Sequence, residues 1–147
     1  MAADARPVPL EFRLGYLLKH AQAKLARASA EALAPYGIDG HELAVLVVLS
    51  GDEPLSQAEA AGRLGVDRTT MVSLIDGLED QGLVTRRRSP QDRRKNIVEL
   101  TPAGEECLHA AELARRAVER RFLAPLDEGE AEGLVRALRA LLADGKS

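Results

Sequence analysis

The stretch Leu55–Leu100, LSQAEAAGRLGVDRTTMVSLIDGLEDQGLVTRRRSPQDRRKNIVEL, decides the fold of this 147-residue chain. Ser56-Gln57-Ala58-Glu59 has the form of a capping box, with a side-chain acceptor at the N-cap and an acid three residues on. It opens a short helix that stops near Gly65. Asp67 is the N-cap of the next helix, which runs to Gln81 and closes on Gly82. Two short helices joined by a tight glycine-containing turn have helix-turn-helix proportions. Leu83–Arg88 and Asn96–Leu100 then read as strands around the polar loop Ser89-Pro90-Gln91-Asp92-Arg93-Arg94. The expected fold is therefore mainly α with a small β-hairpin wing: a winged helix-turn-helix.

Upstream, Leu14, Leu17, Leu18, Ala21, Leu25 and Ala28 recur at three- and four-residue steps, so 10–34 reads as an amphipathic helix ended by Pro35-Tyr36-Gly37. Asp39-Gly40-His41-Glu42 is a second capping box, opening a mostly buried helix to about Ser50. Gly51–Pro54 is a turn. Downstream, Thr101-Pro102 places an N-cap before proline at the first helical position of a long helix over 102–123. Pro125 ends that region, and a last helix carries Leu134, Leu138, Leu141 and Leu142 on one side. The chain reads as a single domain, 1–147, with a winged-helix lobe at 39–101. The flanking helices, 10–34 and 102–144, exceed what a module of about 60 residues needs for its own core. Their Ala/Leu faces suit packing between the subunits of a homodimer; the alternative is that they complete a monomeric core.

On a wheel of 100° per residue, Met71, Leu74, Ile75 and Leu78 face the core. The opposite face carries Thr69, Val72, Ser73 and Asp76, with Arg68 and Thr70 on the flanks. Short hydroxyl side chains can bond base edges or phosphates, and Val72 suits a thymine methyl. The positive helix N-terminus near Arg68 and Thr69 favours phosphate.

The net charge is −3, yet the segment from Val84 to Ile97 carries +5, which leaves about −8 on the remainder. Local distribution, not the average, governs an interaction with nucleic acid. The basic residues Arg86, Arg88, Arg93, Arg94 and Lys95 are candidate contacts to double-stranded operator DNA, since a guanidinium suits the narrow minor groove. Asp92 joins this set, either against DNA or holding Arg94 in one rotamer. A charge run can also be merely a solvated face; its place directly after a helix-turn-helix pattern favours DNA.

Other classes are excluded or disfavoured. The longest apolar run, Leu43–Leu49, is far short of the roughly 20 residues that span a bilayer. The N-terminal Met1–Pro7 has neither the basic start nor the apolar stretch of a signal peptide, and a cytoplasmic location is expected. The single cysteine, Cys107, excludes an intramolecular disulfide and a cysteine zinc site. His20, His41 and His109 lack metal-ligand spacing, so neither a metal nor another cofactor is expected. No nucleophile–base set or phosphate-binding glycine loop points to an enzyme. A winged helix that serves only as a protein scaffold is the remaining competitor, and the Asp92-Arg93-Arg94 tip argues against it.

The same residues resemble the MarR (multiple antibiotic resistance regulator) family: Leu55–Ala61 at the opening of the module, Val66–Val72 at the start of the recognition helix and Leu78–Val84 at its end. Asp92-Arg93-Arg94 running on to Val98–Gly104 is the most specific block. The resemblance implies a two-fold dimer built from the terminal helices, a pseudo-palindromic operator, and repression of nearby genes. It also implies release of DNA when a small aromatic or anionic ligand enters a cleft between the dimer region and the DNA-binding lobe. Two positions depart from the family, which often has basic residues where Ser73 stands and near Gly77. Family members that sense peroxide use a cysteine near the start of the first helix, and none stands there in this chain. Cys107 reads as a small apolar packing residue.

Tyr16, Lys19, His20, Tyr36 and His41 offer the cation-plus-aromatic chemistry an aromatic carboxylate would use, and they are the candidate effector contacts. Partly buried packing for the tyrosines and plain surface exposure for the histidines are the competing readings.

Overall fold

The structure, a computed structural model, describes residues 6–143. Met1–Ala5, part of the segment used to judge a signal peptide, and Asp144, the expected end of the last helical region, lie outside the described residues. Among the described residues, six α-helices and three short strands follow one another in the order the sequence predicts, with one addition. They are α1 (Leu14–Leu33), α2 (Gly40–Leu49), β1 (Leu55–Ser56), α3 (Gln57–Leu64), α4 (Arg68–Asp80), β2 (Val84–Arg88), β3 (Asn96–Leu100), α5 (Pro102–Phe122) and α6 (Glu128–Ala143).

The addition is β1, which makes the sheet three-stranded, in the order β1-β3-β2 with all pairs antiparallel. Leu55 lies opposite Val98, and Arg86 lies opposite the same residue from the other side. A two-residue strand has no readable alternation, so only its partner reveals it. A second difference concerns the first helix. Leu10–Phe12 is a separate 3₁₀ turn, and Arg13 is extended before α1 begins at Leu14. Pro9 stands at the entrance to that turn, and the Arg13 Nε donates to the Val8 carbonyl at 2.9 Å, bridging the break. At the other end the chain tightens into a 3₁₀ turn over Ala34–Tyr36 and reverses at Gly37.

The core is formed by the end of α1 (Leu33), by Leu43, Val45, Leu46 and Leu49 of α2, and by Met71, Ile75 and Leu78 of α4. Ala60 and Ala61 of α3, Leu55, Val84 and Val98 of the sheet, Ala111 of α5, and Ile38 and Leu83 from the connecting segments complete it. Thr101 locks the wing to what precedes and follows it. Its backbone N–H donates to the Leu83 carbonyl at 3.0 Å, its hydroxyl donates to the Gly82 carbonyl at 2.6 Å, and the same oxygen accepts from the Gly104 N–H. Gly104 is required by this approach: a Cβ there would lie 2.0 Å from the Leu83 carbonyl oxygen.

The terminal elements stand apart from this core. α6 buries none of its residues and has only marginal contact with the rest of the described chain. Leu134, Val135, Leu138, Leu141 and Leu142 are exposed along it, as are Leu10, Phe12, Leu14, Leu17 and Leu18 at the start of the chain. No single helix among the described residues is long and apolar enough to cross a membrane. The pair Leu14–Tyr36 and Gly40–Leu49 reaches that composition only together, across a bend of 69°, and four residues of α2 are core.

Candidate nucleic-acid interface

Each helix of the helix-turn-helix is aimed by its cap. Ser56 and Glu59 exchange side-chain and backbone hydrogen bonds at 3.1 and 3.2 Å, and the backbone bond from Ser56 is the main reason the Glu59 carboxyl is held below its ordinary pKa. At the start of α4 the Asp67 carboxylate accepts from the Thr70 N–H at 2.6 Å, which lowers the Asp67 pKa likewise. Burial of Met71, Ile75 and Leu78, with Leu74 half-buried, turns the predicted apolar face inward. Arg68, Thr69, Thr70 and Ser73 are exposed on the other side, and Val72 is half-buried.

The wing tip is a tight, internally bonded loop. The Ser89 N–H donates to the Lys95 carbonyl and the Lys95 N–H to that of Asp92, both at 2.9 Å. Asp92 Oδ1 accepts from the backbone N–H of Arg94 at 3.0 Å and from its Nε at 3.3 Å. Asp92 therefore serves Arg94, whose side chain is 92% exposed yet held at its root. Arg68, Arg88, Arg93 and Lys95 form no ion pair among the described residues. A furrow of about 300 Å³ between the wing and the starts of α3 and α4 brings Arg68, Arg94 and Lys95 together.

Arg86 is placed differently from the expectation that it faces DNA. Its guanidinium turns back onto α4: it meets the Asp76 carboxylate, lies 3.6 Å from Glu79, and donates to the Val72 carbonyl at 3.4 Å. Only 22% of its side chain is exposed. The reason is register: Arg86 pairs with Val98, a buried residue, so its side chain emerges on the face of the sheet that α4 covers. Arg87 is taken up by Glu99 across the strands at 2.7 Å. Of the wing cations, Arg88, Arg93, Arg94 and Lys95 remain for an external anion.

This arrangement is a helix-turn-helix with an oriented arginine at its wing tip. A family model described as MarR family matches residues 36–95. Over 131 residues the chain is 34% identical to HTH-type transcriptional repressor Rv2887 of Mycobacterium tuberculosis, spanning 89% of this chain and 94% of that protein. This chain belongs to the MarR family. Two solved structures of proteins called CouR superpose on it. One is bound to a 23-mer DNA duplex, with a TM-score of 0.87 and 30% identity over 95% of this chain and 99% of that one. The other, from Rhodococcus jostii RHA1 and bound to p-coumaroyl-CoA, has a TM-score of 0.80 and 26% identity over 92% and 95%. The chain is thus a DNA-binding transcriptional regulator of the MarR family with that family's winged-helix fold.

A second feature of the MarR-family chain is a cavity of about 420 Å³ between the end of α1, the outer face of α2 and the middle of α5. None of Tyr16, Lys19, His20, Tyr36 and His41 lines it. Tyr16 and His20 stack on each other, with ring centroids 4.1 Å apart, on the exposed first turns of α1. The part of α1 that reaches the cavity starts at Ser29, and at a rise of about 1.5 Å per residue His20 and Tyr16 lie roughly 14 and 20 Å from it along the helix. The sequence reading missed Glu112 and Arg115, which do line the cavity; their three-residue spacing on a helix was the available signal. No group of three metal-ligating side chains occurs among the described residues. Cys107 is half-buried on α5, and burial, with a smaller effect from the Glu42 charge, raises its thiol pKa.

Proposed function

We propose that this chain is a ligand-responsive homodimeric repressor that binds a pseudo-palindromic operator in the cytoplasm. The observation that carries the reading is the wing tip, where Asp92 fixes Arg94 beside the unpaired Arg93, Lys95 and Arg88. In this reading the lobe 39–101 meets DNA. α4 enters the major groove with Arg68, Thr69, Thr70, Val72 and Ser73, and the wing arginines reach the flanking minor groove. Asp92 and Arg86 act from behind, one holding Arg94 and the other joining the wing to α4. The two CouR structures, one on DNA and one with p-coumaroyl-CoA, support both halves of the reading.

The regions 10–34 and 102–144 form the dimer. Support comes from the exposed apolar residues at the start of the chain and along α6; Phe12 is 70% and Leu142 81% exposed, a pattern expected of surfaces that meet a second subunit. Two-fold symmetry then sets half-sites about 34–36 Å apart, one turn of DNA.

The test has two parts. Sedimentation at low micromolar concentration should give twice the chain mass of 15.8 kDa. Selection from a random DNA pool should return an inverted repeat, bound with an affinity that falls as salt rises. A folded monomer, or binding indifferent to sequence, would overturn the reading.

A further inference from the structure

We infer that the α1–α2–α5 cavity takes an uncharged apolar molecule, in place of the anionic aromatic compound that the sequence suggests; the inference rests on the reading that an effector enters this cleft. At about 420 Å³ the space matches a ligand of one or two fused rings. Ala32, Leu33, Ala44 and Val47 supply a wall that is overwhelmingly apolar, with Val47 exposed at the rim.

Only Glu112 and Arg115 bring charge to the lining, and the charge of Arg115 is already matched. Each of its three nitrogens has one carboxylate partner: its Nε and Nη2 donate to the two oxygens of Glu112 at 2.9 and 3.1 Å, and its Nη1 meets the Glu119 carboxylate one turn further along α5, so its charge is matched although two of its five N–H groups are not used. Two carboxylates on one guanidinium leave a net charge of −1 at the polar end of the cavity. A carboxylate ligand would give up its hydration there, find no free cation, and face an excess negative charge. An organic cation would also lose its hydration, which the net charge of −1, already shared with Arg115, offsets only in part. An uncharged ring with one hydroxyl avoids both costs, and Ser29, a residue of the lining, offers it a hydroxyl partner.

Three shape-matched probes decide the matter with the full-length protein at pH 7: 2-naphthol, 2-naphthoate and 2-naphthylmethylammonium. Calorimetry follows binding, and a labelled operator duplex reports DNA release. 2-Naphthol should bind about tenfold or more tightly than either charged probe. Ala44→Leu, which fills the wall, should weaken it about tenfold. Joint Glu112→Gln and Glu119→Gln substitution frees Arg115 and should improve 2-naphthoate binding about tenfold, with 2-naphthol changed less than about twofold. Tighter binding of either charged probe, no gain for 2-naphthoate in that variant, or no binding at all because a second copy fills the space, each overturns the inference. Preferred 2-naphthol binding without DNA release would uphold the ligand class and overturn the effector reading. Preferred 2-naphthoate binding with release would do the reverse.

Discussion

The guanidinium of Arg86 on β2 closes on the carboxylate of Asp76 on α4, so the wing and the recognition helix are joined by an ion pair behind the surface proposed to meet DNA. Glu79 and the Val72 carbonyl complete its surroundings. The charge of Arg86 is thereby spent internally, while that of Arg88, two residues on, is free.

Arg86→Ala and Arg88→Ala should therefore behave differently. Arg86→Ala should lower stability by about 1–2 kcal/mol, the scale of a charge-assisted bond that is partly exposed. It should weaken operator binding without changing its salt dependence. Arg88→Ala should leave stability nearly unchanged and flatten the salt slope by about one unit for the lost phosphate contact. Denaturant melts and binding isotherms at several salt concentrations measure both.

Arg94→Ala should reduce operator affinity about tenfold or more, the value of one good groove contact at about 1–3 kcal/mol. Asp92→Ala should cost less, because Arg94 keeps its charge and loses only the contact that orients it. Arg136→Ala on α6, far along the chain from the wing, should have little effect. A panel of single-base operator variants separates specificity from affinity: Val72→Ala should relax one thymine preference in each half-site and leave the salt slope alone.

Two helical glycines should respond to alanine with opposite signs. At Gly77 a Cβ would meet the Glu42 side chain at 3.6 Å, an ordinary contact, so Gly77→Ala should stabilise by about 1 kcal/mol through helix propensity. Close packing therefore does not explain Gly77. At Gly104 the added carbon collides with the Leu83 backbone, and Gly104→Ala should destabilise by about 1–3 kcal/mol or more. Thermal melts of the two variants make the comparison.

The recognition-helix cap should titrate in acid. The Thr70 N–H lowers the Asp67 pKa in the folded chain, so the unfolded state binds the proton more readily. This contribution is complete above the ordinary carboxylate value of about 4 and is lost as pH falls through the lowered folded value. Asp67→Ala should lower Tm at pH 7, and the difference should shrink in strong acid to what a neutral acceptor contributes. Asp67→Asn, which keeps the acceptor, should lose less at pH 7.

Much of this protein is written locally. Capping boxes at Asp39 and Ser56, N-caps at Asp67 and Thr101, and the turn glycines at 37, 65 and 82 mark the helix boundaries to within a residue or two, because caps and left-handed turns depend on adjacent residues alone. The inward face of α4 follows from a period of 3.6, and the bond between Asp92 and Arg94 spans only two residues. What joins residues distant in sequence was not legible. Leu55–Ser56 is a strand only because β3 lies beside it. Arg86 looks like its neighbours until the pairing with Val98 turns it toward Asp76. The two glycines differ only in what the fold places opposite them. The cavity, likewise, is made by the end of α1 meeting α2 and α5, not by the aromatic residues at its start. Local chemistry determined the elements and the cluster of charges on the wing; tertiary packing decided which of those charges stayed free, since an ion pair forms wherever the fold brings its partners within reach.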